Sequence, residues 1–102
     1  MSANVAPNPA TVLTLHAALP AHVVHRQFAE ETVILNLKTG YYHGLNVTGG
    51  RMLDVLGASA TVADAAKQLA DEYGQPIAVI EEDLTVFCLA LVERDLLELR
   101  DA

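Results

Sequence analysis

Apolar and polar residues alternate between residues 23 and 45, which is the spacing of strands that bury one face. The alternation predicts three strands, Val23 to Phe28, Thr32 to Leu37 and Tyr41 to Leu45. A short Lys-Thr-Gly connection precedes the third strand, and its glycine, Gly40, can adopt the positive φ that tight turns require. The segment is therefore typical of an antiparallel sheet whose last two strands form a hairpin.

After the third strand, apolar residues recur with a helical period in three segments. The predicted helices cover about 46–57, 61–74 and 76–94. Asn46 and Thr61 are good N-cap residues, and Gly74 is suited to end the second helix. The pair Gly49-Gly50 weakens the first helix but allows it to pack closely against the sheet.

Three strands followed by three helices predict an α+β fold that resembles a winged helix-turn-helix, with a three-stranded antiparallel sheet. Residues 1–21 hold three prolines and no charged side chain, so we expect a flexible N-terminal arm there. Val12, Leu13 and Leu15 could nevertheless dock as a short strand. Residues 22–102 form the predicted folded domain, and its tail, 96–99, can add another short strand.

Composition limits the possible partners and the location. The 102 residues are 52% hydrophobic and carry a formal net charge of −7, with only six Lys and Arg, which argues against nucleic-acid binding. The longest apolar run, Val86 to Val92, is far shorter than the ~20 residues of a membrane-spanning helix. No secretory signal is visible, and the single cysteine, Cys88, cannot form an internal disulfide. We therefore expect a cytoplasmic protein that does not insert into membranes.

The residues give little support for catalysis. Cys88 lies among apolar neighbours in a predicted helix, where burial makes a thiol unreactive. His22 and His25 would lie on opposite faces of a strand, so they are poorly placed to bind a metal together. The sequence contains no phosphate-binding glycine loop and no nucleophile elbow. We predict a protein that is not an enzyme and that requires no metal or cofactor.

Several short motifs occur in a fixed order along residues 22–99. They are Gly40-x-Tyr42-x-x-Leu45-Asn46, Thr61-Val62, Asp83-Leu84 with Phe87 and Leu91, and Leu96-Leu97. This pattern resembles the PqqD-like peptide chaperone of pyrroloquinoline quinone biosynthesis. It is equally similar to the recognition elements of ribosomally made peptide natural products, including the stand-alone leader-binding proteins of lasso peptide pathways.

The resemblance implies that the leader of a precursor peptide adds as a strand to the third predicted strand and lies in a groove against the third helix. The positions that correspond are Tyr41, Tyr42, His43, Gly44, Leu45, Asp83, Val86, Phe87 and Ala90. One position departs from the family pattern, because Asp95 stands where a glycine usually precedes the final Leu-Leu. The end of the third helix is therefore expected to differ from that of the family.

The residues themselves support part of this reading. The third strand lacks the lysine, glutamate and proline that usually prevent edge strands from pairing, so it is open for strand addition unless the arm covers it. The run 84–92 is apolar around most of the helix, which fits either a helix enclosed by core and tail or one that borders a groove or a dimer contact. The acidic run 81–83 suits the beginning of a helix, and Asp83 could also pair with a basic residue of a bound peptide.

The leading interpretation is a non-catalytic protein that binds a leader peptide and presents it to a modifying enzyme, such as a leader peptidase or a radical enzyme. One alternative is a winged-helix regulator that binds DNA, which the topology favours and the charge opposes. Another is the peptide chaperone of the quinone pathway specifically. A homodimer through the third helix is also possible.

Overall fold

The computed structural model describes residues 9–102, in which three antiparallel strands are followed by three helices and a second, small sheet joins the two ends. The elements are α1 (Pro9–Val12), β1 (Leu15–Ala18), β2 (Val23–Phe28), β3 (Glu31–Asn36), β4 (Tyr42–Leu45), α2 (Val47–Ala58), α3 (Val62–Tyr73), α4 (Ile77–Glu93) and β5 (Glu98–Asp101). The predicted α+β class and the order of its strands and helices are confirmed.

The main sheet has the order β2-β3-β4, and all of its neighbouring strands are antiparallel. The β3–β4 turn is held by Asn36, whose carbonyl accepts from the Gly40 N–H at 2.8 Å and whose side-chain oxygen accepts from the Lys38 N–H at 2.9 Å. Gly40 has a φ of +78°, so the turn uses the conformational freedom expected of that glycine. This turn sets the register of β4.

Helices α2 and α3 begin at residues that capping chemistry favours, and α3 also ends at one. The Asn46 side chain accepts from the Gly49 N–H at 2.9 Å, and Thr61 accepts from the Asp64 N–H at 3.1 Å. Gly74 closes α3 in the left-handed conformation, with a φ of +63°. Among residues 9–102, no helix is both long and apolar enough to cross a membrane.

The hydrophobic core lies between one face of the main sheet and the helices. Its largest fully buried side chains belong to Ile34, Leu56, Leu69, Leu84, Val12, Val62 and Cys88. Helix α2 approaches the sheet closely at Gly50, where a Cβ atom would lie 2.5 Å from Oγ1 of Thr32. The predicted close packing of the glycine pair is therefore confirmed.

The N-terminal segment departs from the prediction. β1 pairs antiparallel with β5, and Val12 and Ala17 are buried in the core. The carbonyl of Leu13 also accepts from the Ala63 N–H at the start of α3. The flexible arm predicted over 1–21 does not describe residues 9–21. The alternative of a short docked strand holds from Leu15 onward, because the tail supplies a strand partner from the other end of the chain. The rest of that prediction, residues 1–8, lies outside the described residues.

Candidate functional site

Strand β4 has one unpaired edge in the described part of the chain, since it pairs with β3 only. The Asn36 N–H donates to the Tyr41 carbonyl at 2.9 Å, and bonded pairs alternate along an antiparallel ladder. The backbone of His43 is therefore also bonded to β3. The N–H and C=O groups of Tyr42 and Gly44 point to the free edge, where an added strand would meet them.

The side chains of this strand divide into exposed and buried ones. Tyr41 and Tyr42 are 78% and 75% exposed, although large aromatic side chains usually bury most of their surface. Leu45 is buried beneath α2 and contributes to the core. The described N-terminal segment does not cover β4, because β1 pairs with β5 in the other sheet.

Helix α4 presents a second apolar face that the core does not use. Val86 is 64% exposed, Ala90 and Asp83 are exposed, and Phe87 is half-buried against the core. The sequence left open whether the core and tail enclose this helix, and the exposure of Val86 and Ala90 shows that they do not. This face and the β4 edge together border the surface that we call the groove.

One end of the groove is a cavity of about 600 Å³ where β4, α2 and α4 meet. It is lined by Gly44, Leu45, Asn46, Thr48, Gly49, Met52, Glu82, Asp83, Val86 and Phe87. The structure thus brings five of the predicted site residues to one cavity, two from the strand and three from the helix. Met52, which lies within the predicted helix 46–57, is an addition to the predicted site residues.

The other end of the groove is a cavity of about 450 Å³. It is lined by Asn36, Thr39, Tyr41, Tyr42, His43, Arg94, Asp95 and Leu96. Nη1 of Arg94 donates to Nδ1 of His43 at 3.0 Å, which links the end of α4 to β4. The remaining three predicted strand residues are therefore together here, whereas Ala90 lines neither cavity.

Asp95 ends α4 in a backbone conformation that favours glycine, with a φ of +59°. Its Oδ2 accepts from Nε2 of His22 at 2.9 Å, and its carbonyl accepts from Nδ2 of Asn36 at 3.2 Å. Desolvation raises the pKa of Asp95, but the hydrogen bonds from His22 and Asn36 outweigh it, so that the pKa is lowered overall. The carboxylate therefore ties the end of the helix to the base of the sheet.

The sequence missed the contribution of Arg94 and Asn36 to this end of the groove. Arg94 was expected only as the last residue of a helix, and Asn36 only as a strand residue. The sequence did offer one signal, because Arg94 and Asn36 each stand at the end of a helix or strand that borders the predicted site. Which ends meet is decided by helix–sheet packing, and a periodic pattern does not contain that information.

Cysteine and histidine, the side chains here that enzymes often use for catalysis, make contacts within the fold. Cys88 is buried, and desolvation raises the pKa of its thiol to about 12. His16 and His22 are hydrogen-bonded to the Ser59 carbonyl and to Asp95, each at 2.9 Å. Within residues 9–102, no group of three or more His, Cys, Asp or Glu is arranged to hold a metal ion.

Comparisons with known proteins support the fold and show the family. Residues 31–97 match the family model for coenzyme PQQ synthesis protein D (PqqD). A solved structure of TbiB1 in complex with the TbiA(beta) leader peptide is 31% identical, has a TM-score of 0.73, and covers 78% of this chain and 93% of the TbiB1 chain. A structure of lasso peptide synthetase B1 complexed with the leader peptide is 24% identical, has a TM-score of 0.74, and covers 81% of this chain and 98% of the other. No curated protein matches significantly.

Proposed function

The chain belongs to the PqqD family, and we propose that it binds the leader segment of a ribosomally made precursor peptide and presents it to a modifying enzyme. The observation that carries this proposal is the open edge of β4 beside the exposed apolar face of α4. The similarity to TbiB1, whose structure contains a leader peptide, supports the same function. The enzymatic step itself would belong to the partner.

An incoming peptide would extend the main sheet by one strand. The outward N–H and C=O groups of Tyr42 and Gly44 supply the backbone hydrogen bonds, which fix the register without selecting a sequence. Every second peptide side chain would then point into the groove, over Val86 and Phe87. Burial of apolar surface there contributes roughly 25 cal/mol per Å², so selectivity depends on how well those side chains fill the two cavities.

The partner enzyme depends on the pathway. In a lasso peptide pathway it would be a leader peptidase, and in the quinone pathway a radical enzyme. We favour a pathway for a peptide natural product, since both similar structures contain leader peptides. The free thiol of Cys88 is compatible with the cytoplasm, where precursor and enzyme would be available.

The strand-addition mode is tested by removing one outward N–H group. Gly44→Pro deletes a donor on the free edge, whereas Gly44→Ala adds a Cβ at the same position and keeps the donor. We expect Gly44→Pro to weaken binding roughly tenfold and Gly44→Ala to bind nearly as the wild type does. Fluorescence anisotropy with the labelled leader of a precursor encoded beside this gene measures both affinities.

The helix side of the groove is tested by Val86→Asp, which would place an unpaired charge against the bound peptide. We expect a loss of roughly tenfold or more in affinity. Val24→Asp is the matched control, because Val24 is 44% exposed on the opposite face of the sheet. Circular dichroism must show that each variant is folded. If the folded Gly44→Pro and Val86→Asp proteins bind as tightly as the wild type, the leader does not occupy this groove.

A further inference from the structure

Two carboxylates at one end of the groove have no partner among the described residues. Glu82 and Asp83 are exposed beside the apolar side chains of Val86 and Phe87, and no lysine or arginine lines their cavity. The sequence explained these acids by the helix dipole, but α4 begins at Ile77 and its first turn holds no acid. Because the dipole effect is confined to the first turn, it does not account for them.

The opposite end of the groove carries a cationic side chain. Arg94 lines that cavity, and Lys38 lies close enough to lower the pKa of Asp95. Asp95 also lines the cavity, but its carboxylate already accepts hydrogen bonds from His22 and Asn36. A cationic side chain is therefore left available at this end, although Arg94 donates one bond to Nδ1 of His43.

The distance between the two ends sets a spacing for a bound peptide. Asp83 and Arg94 are eleven positions apart along the chain, which corresponds to about 16 Å at ~1.5 Å per helical residue. An extended peptide advances ~3.3 Å per residue, so about five residues cover that distance. Because alternate side chains share a face, two that both point to α4 are separated by an even number, about four or six.

We propose that the groove selects peptides that carry Lys or Arg at the Glu82 and Asp83 end and Asp or Glu about four or six residues away, at the Arg94 end. This inference rests on the proposed leader binding and specifies its substrate class. The acids do not form a site by themselves. They border a groove whose backbone edge and apolar floor provide the binding, and their charges determine which side chains are accepted.

The expected selectivity is moderate, because both ends are open to solvent. Exposed ion pairs change affinity by roughly two- to fivefold each. The preference should decrease as salt is raised, since the screening length is only about 8 Å at physiological ionic strength. The order of the two charges along the selected peptides also shows whether the added strand runs parallel or antiparallel to β4.

Selection from a displayed library of random twelve-residue peptides tests the proposal without a known leader. We expect the wild-type protein to enrich peptides with opposite charges four or six residues apart. The double variant Glu82→Lys/Asp83→Lys should reverse the sign preferred at one end only, and Arg94→Glu should reverse it at the other. The matched controls are the double variant Asp64→Lys/Asp71→Lys and the single variant Lys67→Glu, which make the same charge changes at exposed positions of α3.

The outcomes separate this proposal from the proposed function. If peptides are enriched and Gly44→Pro weakens their binding, but the groove variants leave the charge preference unchanged, the charge rule is wrong and leader binding stands. If the α3 controls shift the preference as much as the groove variants do, the preference reflects the net charge of −7, and the proposal is also overturned. If the enriched peptides bind the Gly44→Pro protein as tightly as the wild type, they do not add to the β4 edge. The proposed binding in the groove would then be wrong.

Discussion

Position 95 shows how one side chain compensates for a conformation that favours glycine. Asp95 has a φ of +59°, which most residues with a Cβ adopt at a cost, although Asp and Asn tolerate it better than others. Its carboxylate and carbonyl gain bonds from His22 and Asn36 that a glycine could make only in part. Aspartate in place of the family's glycine therefore has less backbone freedom, but it gains hydrogen bonds that connect the end of α4 to the main sheet.

Variants at this position should separate the two effects. Asp95→Gly relieves the backbone strain while losing the carboxylate bonds, whereas Asp95→Ala loses the bonds and keeps the strain. We expect the melting temperature of Asp95→Ala to be lower than those of both Asp95→Gly and the wild type. If Asp95→Ala has the same melting temperature as Asp95→Gly, the backbone at residue 95 is unstrained.

The same carboxylate should contribute a pH dependence to stability. The pKa of Asp95 is lowered in the folded state, so its stabilisation is present above the unfolded value of about 3.9 and is lost as the pH falls through the folded pKa. Asp95→Asn lacks this titration. Thermal melts between about pH 6 and pH 2 should show the wild-type advantage over Asp95→Asn decreasing toward acid. If the difference in melting temperature between the wild type and Asp95→Asn does not change with pH, the ionised carboxylate of Asp95 is not its source.

Cys88 should behave as a core residue. Burial raises the pKa of its thiol to about 12, so the reactive thiolate is scarce at neutral pH. We expect an aromatic disulfide reagent to modify it only after denaturation, and Cys88→Ser to lower the free energy of unfolding by about 1–3 kcal/mol without changing peptide affinity. Lost peptide binding in a Cys88→Ser protein of normal stability would instead indicate thiol chemistry.

At the scale of elements, the contact between α2 and the sheet depends on Gly50. A Cβ there would lie 2.5 Å from Oγ1 of Thr32, whereas a Cβ at Gly57, in the same helix, would meet nothing within 4 Å. We expect Gly50→Ala to destabilise the fold by about 1–3 kcal/mol through overpacking. Gly57→Ala should stabilise it by up to about 1 kcal/mol through helix propensity. Urea denaturation measures both, and a stabilised Gly50→Ala would show that the sheet yields easily at Thr32.

At the scale of the whole molecule, charge opposes the function that the winged-helix topology would suggest. A net charge of −7 repels the phosphates that lysine and arginine must neutralise. We expect no shift of a random-sequence duplex DNA in a gel assay at about 0.15 M salt. A specific complex that persists at that salt concentration would favour a DNA-binding regulator over leader recognition.

The sequence by itself determined the features that depend on neighbouring residues. Hydrogen bonds within one turn or cap define Asn36–Gly40, Asn46, Thr61 and Gly74. Composition and period therefore locate β2 to β4 and α2 to α4 to within a residue or two. The family resemblance also named surfaces of the third strand and the third helix as candidates for the groove. Only the folded structure shows that these two surfaces are exposed and lie side by side.

Only the tertiary structure decided which distant segments meet. The pairing of β1 with β5 joins residues that are 80 to 86 positions apart, and the groove joins β4 to the two ends of α4. Burial and strand pairing depend on the free energy of the whole packed chain, and many arrangements satisfy the same local pattern. For this reason Arg94 and Asp95 are recognised as groove residues, and Val12 and Ala17 of the predicted arm as core residues, only in the folded structure.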